Sequence, residues 1–110
     1  KTLRKVPTDT AAHNLHPRGD GRHYFVSNRS VGGCSISLLD TQTMTVIEKY
    51  DVPGGPDDME VRADGKELWA TARFGRRVQV VDLTTKALKT SIPVGSSPHG
   101  VFFLNHAPRK

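Results

Sequence analysis

Three side chains that can bind a metal recur at one position of a repeated pattern in this 110-residue chain. They are His13, Asp57 and His99, which are separated by 44 and 42 residues along the sequence. Imidazole and carboxylate groups bind Zn²⁺, and imidazole also suits Cu²⁺. If the fold brings equivalent positions of the repeats together, the three residues form a candidate metal site. The alternative is that each side chain bonds the backbone of its own loop.

Charged residues near these positions extend the set to a candidate ligand-binding site. Asp58 directly follows Asp57, and Arg29 and Arg73 end two other predicted strands. A loop that enters the first strand of a repeat and a loop that leaves the second lie at the same end of an antiparallel sheet, so one rim should carry all of these side chains. The predicted binding residues are His13, Arg29, Asp57, Asp58, Arg73 and His99.

The sequence offers no catalytic constellation. It contains neither a Gly-x-Ser-x-Gly turn nor a Gly-rich phosphate loop. Asp57 and Asp58 are adjacent, so in a strand their side chains point to opposite faces and do not flank one bond as a general acid and base. We therefore assign no catalytic residue.

Two short motifs resemble known signals and have simpler explanations. His13 and His16 have a spacing found among metal ligands, but residues three apart in a strand point to opposite faces. Arg18, Gly19 and Asp20 spell the cell-adhesion tripeptide. The matching place in the second half of the chain reads Arg-Ala-Asp, so the tripeptide is predicted to be a turn between two strands.

The elements that must position these residues belong to a sequence repeat. Residues 20–28 match residues 64–72, and the turn at 40–43 matches the turn at 82–85. A period of roughly 40–45 residues with several short strands per unit is typical of a β-propeller blade. The sequence therefore predicts an all-β fold made of four-stranded antiparallel propeller blades in an incomplete ring.

Each repeat supplies four predicted strands, which are joined by Asp-Gly and other polar turns. The first repeat has a longer loop at residues 30–33, where an insertion costs little closure entropy. The predicted strands span 13–17, 23–29, 34–40 and 45–52 in the first repeat, and 57–62, 67–73, 77–83 and 87–94 in the second.

The repeats divide the chain into four predicted parts. The stretch at 3–8 is expected to be an outer strand of a preceding blade, and the stretch at 101–104 an inner strand of a following blade. The parts are a strand and linker at 1–12, a first blade at 13–55, a second blade at 56–97, and a strand and tail at 98–110.

The residues of these strands resemble the YVTN-type β-propeller repeat. The resemblance covers nearly the whole chain, and it implies rings of about seven blades in exported bacterial and archaeal proteins. A periplasmic or extracellular location follows from it. The matching segments are Phe-Val-Ser-Asn at 25–28 with Ile-Ser-Leu-Leu-Asp at 36–40, Trp-Ala-Thr-Ala at 69–72 with Val-Gln-Val-Val-Asp at 78–82, and Ser-Ile-Pro-Val-Gly-Ser-Ser-Pro-His-Gly-Val at 91–101.

The resemblance favours a non-enzymatic binding or scaffold module that holds a protein or small-molecule ligand at the channel rim without a cofactor. The alternative is a cofactor- or metal-binding propeller enzyme, haem d1-like or lactonase-like. In that case Zn, Cu or haem would bind at the rim, with His13, Asp57 and His99 as the metal candidates.

Composition and length limit the partners. The net charge of +5 comes from 16 basic and 11 acidic residues, but Phe74 is the one aromatic residue beside the cluster of Arg73, Arg76 and Arg77, which disfavours nucleic-acid binding. No apolar run approaches the about 20 residues of a membrane span. Because a closed ring takes four or more blades, two blades should associate with other propeller blades or with further copies of the chain.

Overall fold

The computed structural model describes residues 2–30 and 34–110. The elements of regular secondary structure within these ranges are all β-strands. No described helix is long and apolar enough to cross a membrane. Most of the loop predicted at 30–33 lies outside the described residues. The strands are β1 (Ala12–Pro17), β2 (His23–Asn28), β3 (Ser35–Asp40), β4 (Thr45–Asp51), β5 (Pro56–Val61), β6 (Glu67–Ala72), β7 (Arg77–Asp82) and β8 (Ala87–Pro93).

The strands form two four-stranded sheets, each with its strands in chain order, β1-β2-β3-β4 and β5-β6-β7-β8. Every neighbouring pair is antiparallel. Each sheet corresponds to one predicted blade, and each strand boundary lies within one residue of its prediction. The predicted all-β fold with four-stranded antiparallel blades is therefore confirmed.

The first turn of each blade is stabilised in the same way. Asp20 Oδ1 accepts a hydrogen bond from the Arg22 amide at 2.9 Å, and Asp64 Oδ1 accepts one from the Lys66 amide at 2.9 Å. The glycine that follows each aspartate has a φ of 76° or 73°, a conformation that glycine adopts without steric cost. The repeated Asp-Gly pair in the sequence thus encodes the same turn twice.

The last turn of each blade also repeats. The amides of Met44 and Lys86 donate to the carbonyl oxygens of Asp40 and Asp82, both at 2.8 Å. At equivalent positions of the two blades, a register shift interrupts the pairing of β3 with β4 and of β7 with β8. The two blades are therefore equivalent down to their irregularities.

The hydrophobic core is one cluster that draws on both sheets. Phe25 and Tyr50 of the first blade lie with ring centroids 6.2 Å apart, and Met59 and Val61 of β5 are almost completely buried. Burial of these apolar side chains holds the two blades together. The cluster consists of Phe25, Ile36, Leu38, Tyr50, Val52, Met59, Val61, Leu68, Ala70, Val81, Leu83 and Ala107.

The two ends of the chain form no strand among the described residues. Residues 3–8 and 101–104, predicted as single strands of adjacent blades, are not part of any described strand. The C-terminal end still packs on the second blade, because the Phe103 ring meets Trp69 nearly edge-on with centroids 5.1 Å apart. The assignment of the two ends to adjacent blades stays a prediction.

The loop between the blades is fastened to the rim of the second blade. Gly54 accepts hydrogen bonds from the amides of Phe74 and Gly75 at 2.8 and 2.9 Å. Gly54 has a φ of 98°, and a Cβ atom there would lie 2.9 Å from the Ala72 Cβ and 3.1 Å from the Gly75 Cα. A residue with a side chain therefore does not fit without moving the backbone.

We expect Gly54→Ala to lower the free energy of unfolding by about 2–4 kcal/mol, because the left-handed backbone costs about 1–2 kcal/mol and the overlap adds to it. Gly65→Ala is the matched control, since Gly65 has a φ of 73° but no atom within 4 Å of the new Cβ. It should cost only about 1–2 kcal/mol. Urea unfolding followed by circular dichroism measures both, and equal losses would contradict the close contact at Gly54.

Candidate functional site

The antiparallel pairing of the inner strands brings four predicted site residues to one rim. β1 begins where β2 ends, and β5 begins where β6 ends. His13 and Asp57 stand at the two starts, and Arg29 and Arg73 directly follow the two ends. Because the blades are equivalent, both sets of residues lie at the same end of the molecule.

These four residues form a network around one buried carboxylate, which we call the Asp57 cluster: His13, Arg29, Asp57 and Arg73. Asp57 Oδ1 lies 2.7 Å from His13 Nε2, and its Oδ2 lies 3.0 Å from Arg29 Nη1 and 3.5 Å from Arg73 Nη1. The Asp57 side chain is 1% exposed, whereas its three partners are 25–36% exposed. The carboxylate is therefore internal, and the outer edges of its partners face solvent.

The Asp57 cluster joins the two blades and carries excess positive charge. His13 and Arg29 come from the first blade, whereas Asp57 and Arg73 come from the second. Two guanidinium groups against one carboxylate leave a net charge of about +1 when the imidazole is neutral. Arg73 is further oriented by a hydrogen bond from its Nε to Ser97 Oγ at 3.1 Å.

The other two predicted site residues lie outside this cluster. Asp58 Oδ1 accepts a hydrogen bond from Asn14 Nδ2 at 3.3 Å, and its Oδ2 accepts one from the Val101 amide at 3.4 Å. His99 is exposed, and its carbonyl oxygen accepts a hydrogen bond from the Thr71 hydroxyl at 3.3 Å. The role of all six residues in ligand binding stays a prediction.

The predicted metal ligands are not gathered into one centre. His13 and Asp57 contact each other, but within the described ranges no group of three or more His, Cys, Asp or Glu residues is arranged to hold a metal ion. Metal binding by His13, Asp57 and His99 in a closed ring stays a prediction.

A second network, which sequence reasoning missed, surrounds Glu60. Its buried carboxylate accepts two hydrogen bonds from Arg109, at 2.6 and 2.7 Å. His16 Nε2 lies 3.5 Å from Glu60 Oε1 and 3.0 Å from Arg109 Nη1. The guanidinium group of Arg109 also lies 6.0 Å from the centre of the Phe102 ring. This Glu60 cluster fastens the C-terminal tail to the inner strands of both blades.

The chemistry of the Glu60 cluster requires a neutral His16. A guanidinium group can only donate, so His16 Nε2 accepts from Arg109 and carries no proton. Burial lowers the pKa of His16 below its usual value, and Arg109 lowers it too, while Glu60 opposes the shift. Burial is the largest single influence and raises the pKa of Glu60, but the hydrogen bonds from Arg109 and the Phe103 amide and the charge of Arg109 together hold the pKa below its usual value.

Equivalent positions of the two inner strands contact each other directly. Asn14 bonds Asp58, which lies 44 residues further along the chain. His13 and Asp57, and likewise His16 and Glu60, contact each other and are also 44 residues apart in the sequence. The repeat spacing was thus the signal that could have revealed the partner of Glu60 on β1, whereas Arg109 lies outside the repeats.

The Arg18-Gly19-Asp20 tripeptide is a turn, as predicted. The Gly19 amide donates to the Lys110 carbonyl at 2.9 Å, and the Asp20 carboxylate is bound by His23 Nδ1 at 2.7 Å. The Asp20 carboxylate is therefore engaged within its own turn.

Comparisons with known proteins support the propeller fold. A family model for YNCE-like β-propellers matches residues 1–109. The protein NirF of Stutzerimonas stutzeri is 33% identical over 92 residues, which make up 82% of this chain and 23% of NirF. The chain thus spans about a quarter of the length of this curated relative.

Two solved structures are similar to this chain. Hydrazine synthase of Kuenenia stuttgartiensis superposes with a TM-score of 0.73 and 29% identity, over 89% of this chain and 28% of that one. The Cps50 (Swd1) β-propeller domain of Myceliophteria thermophila superposes with a TM-score of 0.71 over 83% of this chain and 28% of that one. At 13% identity, the second likeness shows the fold alone.

We expect Asp57→Asn to lower the free energy of unfolding by about 2 kcal/mol, because two guanidinium groups lose their shared charged acceptor. Asp58→Asn is the matched control, since Asp58 is partly exposed and bound by weaker neutral donors; it should cost less than about 1 kcal/mol. Chemical unfolding at pH 7 measures both. Equal stability of the two variants would contradict the central role of Asp57.

We expect stability to fall as the pH drops below 6.5, partly through His16. Its folded-state pKa is lowered, so the unfolded chain takes up the proton first, and the contribution present above the unfolded pKa is lost as the pH falls toward the folded pKa. His16→Gln should reduce the loss of stability between pH 7.5 and 5, measured by urea unfolding. The exposed His99 provides the control His99→Gln; an unchanged slope in His16→Gln would contradict the expectation.

Proposed function

This chain belongs to the YNCE-like β-propeller family, and we propose that it is a non-enzymatic binding module whose Asp57 cluster holds a protein or small-molecule ligand at the rim of the propeller channel. The observation that carries the proposal is the buried Asp57 carboxylate, which fixes three partly exposed side chains from two blades at one rim. Binding groups held in place before the ligand arrives lose little freedom when it binds.

The surroundings of the Asp57 cluster support a binding surface. The Phe74 side chain beside Arg73 is 58% exposed, and Arg76 in the same turn is exposed as well. Exposed aromatic and guanidinium groups are enriched where proteins recognise partners. This rim therefore combines apolar area with donors of hydrogen bonds.

The proposal includes association with other propeller blades. Phe102 and Leu104 are 67% and 95% exposed at the C-terminal end, and Leu15 on the inner strand of the first blade is 59% exposed. A further blade, of this protein or of another copy, would cover such side chains. The resemblance to exported YVTN-type proteins supports a periplasmic or extracellular location as part of the same proposal.

A screen by ligand-observed NMR tests the binding function. A library of small molecules with positive, negative and no charge is mixed with the full chain, and saturation transfer identifies the binders. We expect hits that compete for one site and lose most of their signal in Arg73→Gln, because the variant removes a donor from the rim.

The control is Arg4→Gln, since Arg4 is exposed near the N-terminus. This variant should leave the saturation-transfer signals unchanged. Hits that bind equally to both variants, or the absence of any hit, would overturn the proposed binding site. Conversion of a bound compound into a product would overturn the proposal that the chain is a non-enzymatic module.

A further inference from the structure

We infer that the Asp57 cluster recognises a carboxylate group on an organic ligand, an inference that rests on the proposed binding function of this rim. The inference follows from three features of the site: its residual charge, its two neighbouring guanidinium groups, and the exposed aromatic ring of Phe74, the residue after Arg73. Each feature limits the chemistry of the ligand in a different way.

The residual charge selects a monoanion. Arg29 and Arg73 share the single carboxylate of Asp57, so about one positive charge is left uncompensated. The neighbouring acid, Asp58, is turned to Asn14 and the Val101 amide and not to these arginines. A phosphate dianion would bring more negative charge against the buried Asp57 than the site can balance, whereas one carboxylate matches it.

The arrangement of donors suits a planar, two-oxygen acceptor. Arg29 contacts Asp57 through Nη1, and Arg73 contacts the same oxygen through its own Nη1. The contacts described for the two guanidinium groups run through Nη1 of Arg29 and through Nη1 and Nε of Arg73. A guanidinium edge binds a carboxylate through two parallel N–H···O bonds. Because both groups contact one oxygen, Oδ2 of Asp57, the two guanidinium groups lie near each other before a ligand binds.

The aromatic ring selects an organic acid over a bare inorganic anion. Phe74 lies over Gly55, where an added Cβ would be 2.4 Å from the ring, and the Arg73 amide donates to the Gly55 carbonyl at 3.0 Å. The ring therefore stands beside the Arg73 backbone with 58% of its surface exposed. An apolar body attached to the carboxylate would pack against this ring and remove it from water.

Three probes that share a phenyl ring test which ligand charge the site prefers: benzoate, neutral benzamide and phenylphosphonate. Each is titrated into the isotope-labelled full chain, and binding is followed by chemical-shift changes. Benzoate should shift the amide signals of residues 28–29, 57–58 and 73–74 and bind at least about tenfold more tightly than benzamide. Its affinity should fall as NaCl is raised, which needs no variant protein.

Arg29→Gln and Arg73→Gln should each weaken benzoate binding about tenfold or more, and Arg4→Gln should not. The amide spectrum of each variant reports whether it is folded. Benzamide binding as well as benzoate, or phenylphosphonate binding more tightly, would overturn the carboxylate inference while the rim remained a binding site. If no probe and no library compound shifted the rim signals, the inference and the proposed function would both fail.

Discussion

The neutralisation of one carboxylate determines how the two blades meet. Asp57 is removed from water, and an ionised group in that position is stable only when opposite charges and donors surround it. Its partners come from both sheets, so the requirement acts across the blade boundary and not only within one blade. The same contacts fix Arg29 and Arg73 at the rim. This one constraint therefore acts both on the docking of the blades, which the buried apolar core also stabilises, and on the geometry of the candidate site.

The strands and their boundaries could be predicted from the sequence because the turn residues and the repeat period indicate the same positions. The Asp-Gly pairs at 20–21 and 64–65 impose matching turns, and the period places the strands between them. The convergence of His13 with Asp57 also follows from the period, since equivalent inner strands are neighbours. Each of these inferences needs only short-range chemistry and one spacing.

The remaining parts of the site depend on contacts that no spacing encodes. Arg109 reaches Glu60 across 49 residues, from a tail that lies outside the repeats, so neither periodicity nor local propensity could identify the pair. His99 holds the position equivalent to Asp57 and yet is exposed, because the segment around it has no partner strand among the described residues. Sequence equivalence predicted a shared location only where both strands are present.

The contacts between equivalent positions also constrain how such a chain can arise by duplication. Each inner strand meets the next copy of itself, so a perfect repeat would place a histidine against a histidine, or an aspartate against an aspartate. The chain instead pairs His13 with Asp57 and His16 with Glu60, which is possible only because the copies have diverged in charge. The blades are thus not interchangeable: a second copy of either one in the other's place would juxtapose like groups and be rejected. Divergence between the repeats, which weakens their resemblance as sequences, fixes the order of these two blades along the chain.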